Sequence, residues 1–109
     1  MAPDLPPMKK MLKLTVRVRN KDSHQGKNIV DLLLSLYRRK GISGATVLQG
    51  VRGYGIRGVS TADVLGLSVN LPLVIETVDE YQKIEAVLSE VKQIVGGNGL
   101  ITLEEVNAF

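Results

Sequence analysis

The 109-residue sequence has no cysteine, no tryptophan and a single histidine, and aromatic residues make up only 4% of it. Without cysteine there are no disulfides, no thiolate metal sites and no thiol nucleophile. His24 alone leaves little material for a zinc or histidine-based centre, so no metal site is expected. Scarce aromatics provide few platforms for stacking exposed bases. The isoelectric point near 9.3, which by itself points toward nucleic acid, therefore lacks its usual companion feature. No apolar run approaches the roughly 20 residues that a membrane-spanning helix needs, and the opening MAPDLPPMKK has no apolar stretch of the secretory kind. The expected location is the cytoplasm, without membrane insertion.

What is present fits one compact unit: 44% hydrophobic and 23% charged residues, a composition expected to bury about 65% of the unfolded surface. The net charge of +3 hides an asymmetry. Residues 1–57 carry twelve Lys/Arg against three Asp/Glu, whereas residues 58–109 carry two against eight. Halves of opposite sign can pair within a chain or between copies, so the first expectation is self-association and the second is polyanion binding.

Residues 1–8 hold three of the four prolines and no periodic pattern, and are expected to form a flexible tail ahead of a single domain over 9–109. From 11 to 19, Leu12, Leu14, Val16 and Val18 alternate with Lys13, Thr15, Arg17 and Arg19, the period of a strand with one buried face. After a polar loop over 20–26, Ile29, Leu32, Leu33, Leu36 and Tyr37 recur at helical spacing, with Asn28 as cap and Gly41 as stop. Residues 45–51 read as a second strand. The glycines Gly50, Gly53, Gly55 and Gly58 then predict a loop without regular structure, and Ser60 opens a possible short helix over 60–67. Pro72 starts a third strand over 73–77. Thr77 and Glu80 have capping-box spacing ahead of a helix bearing Ile84, Val87, Leu88, Val91, Ile94 and Val95 and ending at Gly96 and Gly97. A last strand spans 100–106. The order β-α-β-β-α-β predicts an α+β ferredoxin-like sandwich, an antiparallel four-stranded sheet with two helices on one face.

Several motifs compete for the glycine-rich segment. Residues 53–58 match G-x-G-x-x-G, a spacing that lets backbone amides approach phosphate because no side chain intervenes. A dinucleotide fold would need a long helix next and more strands than this chain supplies. Arg52 and Arg57 flank the glycines and suit an anion, although a plain solvated turn also accounts for them. Arg52-Gly53-Tyr54-Gly55 also begins like an RNA-recognition signature. It departs afterwards, with Ile56, Arg57 and Val59 at the remaining signature positions and no aromatic in the first strand. An RNA-binding ferredoxin-like module is therefore the alternative rather than the favoured reading. Glu104 and Glu105 are neighbours on a strand and face opposite ways, so they do not form an acid-base pair. Ser23 and Asp22 beside His24 in sequence do not amount to a triad, because triads converge in space. Tyr37 belongs to the core, and Tyr54 to a ligand or partner. No enzymatic activity is expected.

Gly44-Ala45-Thr46-Val47, then 50–55 as Gly-Val-Arg-Gly-Tyr-Gly, then 71–76 as Leu-Pro-Leu-Val-Ile-Glu, resemble the PII signal-transduction superfamily over about residues 11–106. Within it the chain is similar to a small PII-like branch known as a domain of unknown function. The resemblance implies a homotrimer, an adenine nucleotide in the cleft between subunits, and a loop after the second strand that contacts a regulated protein, a transporter or an enzyme. Carried over, it implies Thr46 near the base, Gly53 and Gly55 at the phosphates beside Arg52, Tyr54 and Arg57, Thr77 lining the cleft, and Gly97 and Gly99 as a later phosphate loop. Two departures favour AMP or ADP over ATP. Ile56 precedes Arg57 where the family places arginine directly after its glycine motif, and residues 96–100 lack the family's lysine. The shorter loop and the absence of a basic C-terminal strand withhold the partners of nitrogen signalling. An ion-tolerance-type trimer of the same fold is the structural alternative, but His24 and the absent cysteines give it no obvious metal ligands.

Overall fold

The computed structural model describes residues 4–61 and 70–109, and the helix expected over 60–67 lies largely outside them. Strand β1, Lys9–Arg19, is the spine of a four-stranded antiparallel sheet. A small hairpin, β2 Ser23–His24 and β3 Lys27–Asn28, leads into helix α1, Ile29–Arg39. Strand β4, Thr46–Gln49, is followed by a second hairpin, β5 Arg52–Gly55 and β6 Gly58–Thr61. Strand β7, Pro72–Asp79, precedes helix α2, Tyr81–Val95, a short turn Gly96–Asn98 and strand β8, Leu100–Ala108. The large sheet runs β4-β7-β1-β8, the ferredoxin-like arrangement that the sequence predicts. Residues 4–8 are exposed and belong to no element, and no helix among the described residues is long and apolar enough to cross a membrane.

Alternation along β1 divides the molecule into two faces. Leu14, Val16 and Val18 are buried against Ile29, Leu33, Leu36 and Tyr37 of α1 and Ile84, Val87, Val91 and Val95 of α2. Truncating a fully buried leucine here, such as Leu33, costs about 2–5 kcal/mol in lost transfer free energy and cavity formation. Tyr37 is 2% exposed, as a core residue should be, and burial pushes its phenol up to about 12. The opposite face carries Lys13, Thr15 and Arg17 beside their register partners Val78, Glu76 and Val74 on β7 and Glu104, Thr102 and Leu100 on β8.

The helix ends follow local chemistry. The Asn28 side chain accepts from the Asp31 N–H as the expected cap, and Gly41 at φ +77° takes the chain out of α1. The capping box expected from Thr77 and Glu80 does not form. Strand pairing holds Thr77 in β7, where its hydroxyl donates to the Gly44 carbonyl, and Glu80 caps α2 without a side-chain bond to the helix. Its backbone N–H is instead satisfied by the Asp79 carboxylate at 2.8 Å, which also accepts the Ser43 N–H at 2.8 Å. Burial raises the Asp79 pKa and those N–H groups lower it, with the Ser43 side chain and Lys83 adding to the lowering, for a net decrease.

Two further expectations change. The glycine-rich segment is not irregular: β5 and β6 pair from Arg52 opposite Thr61 to Gly55 opposite Gly58. Gly58, at φ +105°, supplies the reversal that a side chain would resist, so the glycine that argued against structure is what closes the hairpin. The charge asymmetry is partly consumed within the chain. Lys9 to Glu80, Lys10 to Glu105, Lys13 to Glu76, and Arg39 and Lys40 to Glu90 all join the basic half to the acidic half. These pairs are largely solvated, each contributing about 0–1 kcal/mol, so they settle orientation more than stability.

The β2–β3 turn places Gln25 at φ +52° and Gly26 at φ +77°, the geometry that prefers Asn-Gly. Gln25→Asn is expected to raise stability by about 0.5–1 kcal/mol, read as a higher unfolding midpoint in chemical denaturation. An unchanged or lower midpoint contradicts a cost of holding Gln25 at positive φ.

Candidate functional site

Three chain reversals meet at one end of the sheet. β1 ends there at Arg19, opposite Pro72 where β7 begins, and Arg17 pairs with Leu100 where β8 begins. The β5–β6 hairpin folds back over this end. Its root is pinned by the Gly50 N–H donating to the Pro72 carbonyl at 2.8 Å, and Gly50 and Gly53 lie against the proline ring. A Cβ at Gly50 would stand 2.8 Å from the Pro72 ring, so glycine is required there by contact rather than by φ. Gly99 is similarly enforced, since a Cβ would overlap the Arg17 carbonyl and the Val18 side chain. The space between hairpin and sheet is a cavity of about 640 Å³, walled by Arg17 and Arg19, by the hairpin from Arg52 to Arg57, and by residues 97–100.

Electrostatics organises the mouth of this cavity. Arg57, on the hairpin turn, donates from both terminal nitrogens to the two Asp22 oxygens at 2.8 Å each, and one nitrogen also donates to the Asn98 carbonyl at 2.6 Å. Arg19 donates from its guanidinium to the Gly58 carbonyl at 2.9 Å, and its backbone N–H donates to Asp22 at 2.7 Å. The Asp22 side chain is only 5% exposed. Burial alone raises its pKa, yet the Arg57 fork, the Arg19 N–H and the positive charge of both arginines outweigh that and hold it below the ordinary aspartate value. The bidentate bond to Asp22 correspondingly raises Arg57, against a smaller effect of burial.

The cavity brings together seven of the residues singled out in the sequence: Arg52, Gly53, Tyr54, Gly55 and Arg57 from the hairpin, and Gly97 and Gly99 from the turn before β8. Tyr54 borders it while remaining 89% exposed. Thr46 and Thr77 stand outside this set. Thr46 lies exposed on β4, and Thr77 is buried on the helix side with its hydroxyl engaged by Gly44. Sequence reasoning did not assign Asp22, Arg17, Arg19 or Asn98 to the site. The one available signal for Asp22 was its being one of three acids among twelve basic residues in the first half of the chain. Among the described residues no three His, Cys, Asp or Glu side chains converge as a metal site. An arginine-rich cavity roofed by glycine amides can hold an anion and leaves apolar wall for a flat base.

Because Asp22 is depressed in the fold, the stability it contributes is present above 3.8, the value of an unperturbed aspartate, and is lost as pH falls through the lower folded value. The unfolding free energies of the parent and Arg57→Ala should differ by a constant increment, about 1 kcal/mol for a half-exposed guanidinium, between about pH 5 and 7. That difference should shrink on acidification below the ordinary carboxylate range. A pH-independent difference measured by denaturant titration contradicts the pairing.

The chain is similar to known proteins in sequence and in fold. UPF0166 protein MJ1524 of Methanocaldococcus jannaschii is 38% identical over 96 residues, 88% of this chain and 89% of that protein. A UPF0166 protein of Aquifex aeolicus is 37% identical over 89 residues, 81% of this chain and 83% of that protein. Among solved structures, CPII of Thiomonas intermedia, a nitrogen regulatory PII-like protein bound to ADP, AMP and bicarbonate, superimposes with a TM-score of 0.72 at 13% identity, covering 95% of this chain and 100% of that one. The apo form of the same protein gives 0.64 at 12% identity, with 94% and 95% covered. The structural likeness establishes the PII-like ferredoxin-like fold, and the family model described as "Uncharacterized ACR, COG1993" matches residues 11–108, so the chain belongs to the DUF190 family.

Proposed function

We propose that this chain is a regulatory protein that binds an adenine nucleotide, AMP or ADP in preference to ATP, in the cavity beneath the β5–β6 hairpin, and signals occupancy to a partner protein through that hairpin. The supporting observation is the cavity itself: Arg17, Arg19 and Arg52 line it together with Gly53, Gly55 and Gly97, whose lack of side chains lets phosphate oxygens reach backbone amides. The PII-like neighbour solved with ADP and AMP supports the choice of ligand. The protein acts by binding, without chemistry of its own, and in the cytoplasm.

Assembly into a homotrimer completes the reading. The sheet face away from the helices presents Lys13, Thr15, Arg17, Glu76, Thr102 and Glu104, charges of both signs that complement a copy of the same surface. Thr46, exposed on β4, then joins the site from the cleft between subunits, whereas Thr77 keeps its hydroxyl on the Gly44 carbonyl inside one subunit. RNA is the less suitable partner, since the carboxylates of Glu76 and Glu104 repel a phosphate backbone. Light scattering is expected to give three times the 11.9 kDa chain mass, and a monomer at micromolar concentration contradicts the intersubunit cleft.

Nucleotide binding is testable by thermal shift with AMP, ADP, ATP and RNA oligomers. A ligand at a hundred times its Kd stabilises the native state by about 2.7 kcal/mol, and ADP and AMP are expected to do so more strongly than ATP or RNA. Gly55→Val should abolish the shift while leaving the fold intact, because a Cβ at Gly55 meets no protein atom within 4 Å. Equal binding of ADP by the parent and this variant contradicts the role of the glycine, and a parent that binds neither ADP nor AMP contradicts the assignment.

A further inference from the structure

The hairpin Arg52–Thr61 stands apart from the hydrophobic core of the described residues: none of residues 50–59 belongs to it, and Tyr54, Ile56 and Val59 are exposed. Among the described residues its outer end is held by polar contacts that converge on two arginines: Arg57 to Asp22 and to the Asn98 carbonyl, and Arg19 to the Gly58 carbonyl. Asp22 is fixed from below, because the Arg19 N–H donates to it and its own backbone closes the turn onto Arg19 and Ile29. Arg57 rides on a two-residue turn and is 37% exposed, so it is the partner that can leave.

The guanidinium fork matches carboxylate and phosphate with the same two-bond geometry. Arg57 lines the cavity, within reach of an anion placed there, and its fork is already filled by a buried carboxylate. We propose that Asp22 is an internal competitor for Arg57, a latch that holds the hairpin against the body until the phosphate of a bound nucleotide takes the arginine over. Its coupling to nucleotide rests on the reading given under Proposed function. Two consequences follow from one pair. Asp22 lowers the observed affinity, since ligand must first win Arg57 from it, and it makes the position of the hairpin depend on occupancy. A pair that merely stabilised the fold would do neither.

Two measurements on the full-length protein separate these cases. Amide hydrogen exchange without nucleotide should be at least tenfold faster across 52–61 in both Asp22→Asn and Arg57→Ala, with α1 and α2 unchanged. Arg57 sits on an exposed turn, so its variant reports even where Asp22→Asn disturbs the β1–β2 turn. Calorimetric titration with ADP, and separately with inorganic pyrophosphate, should then move in opposite directions: binding about fivefold tighter for Asp22→Asn and weaker than the parent for Arg57→Ala. Unchanged hairpin exchange in Arg57→Ala overturns the latch whatever binds. Shifts of the same sign in the two variants overturn the competition and leave nucleotide binding standing. Pyrophosphate binding with opposite signs, but no binding of ADP or AMP, overturns the nucleotide reading alone, and no binding of either overturns both.

Discussion

Strand β1 is hydrogen-bonded along both edges, and its strict alternation lets one segment build the core on one face and line the cavity from the other. Leu14, Val16 and Val18 enter the core on one side, and a slip of one residue would bring Thr15 and Arg17 inward in their place. The same register fixes where Arg19 stops, and therefore where Asp22, Pro72 and Leu100 stand relative to one another. Hairpin, cavity and ion pair all inherit their geometry from that pairing. The overlap that a Cβ at Gly99 would make with the Arg17 carbonyl expresses the same constraint from the neighbouring chain reversal.

Most of the fold was legible because its signals are local and periodic. The alternation over 11–19, the Asn28 cap and the helical recurrence from Ile84 to Val95 each reappear as elements. Pairing carries β1 back to Lys9 and β8 on to Ala108, two-residue extensions that no propensity marks, because a strand end is set by what lies beside it. Reading Thr77 as a cap failed for the same reason. Spacing alone allowed a capping box, but the pairing of Leu14 with Thr77 keeps the chain extended through Asp79.

The site was legible in part. Seven residues chosen for their chemistry do share a cavity, since glycines and arginines clustered in one segment remain together when that segment folds into a hairpin. Asp22 was not legible as a partner of Arg57, because the two are 35 positions apart and meet only when two unrelated turns land on one end of the sheet. Composition records how many charges a chain has, and topology decides which of them neutralise each other. The surface pairs that join the basic and acidic halves illustrate the point, as they convert a sequence-scale dipole into local contacts.

A hairpin whose residues 52–59 lie outside the hydrophobic core has an evolutionary consequence. Core substitutions are constrained by folding, because each removes buried contacts on which the whole sheet and both helices depend. Substitutions at 51, 54, 56 and 59 alter exposed side chains and leave that account untouched, provided the glycines that shape the hairpin stay. The exposed side chains of the hairpin are thus free to diversify along a lineage while the body is kept, so chains of one fold can vary this surface without passing through less stable intermediates.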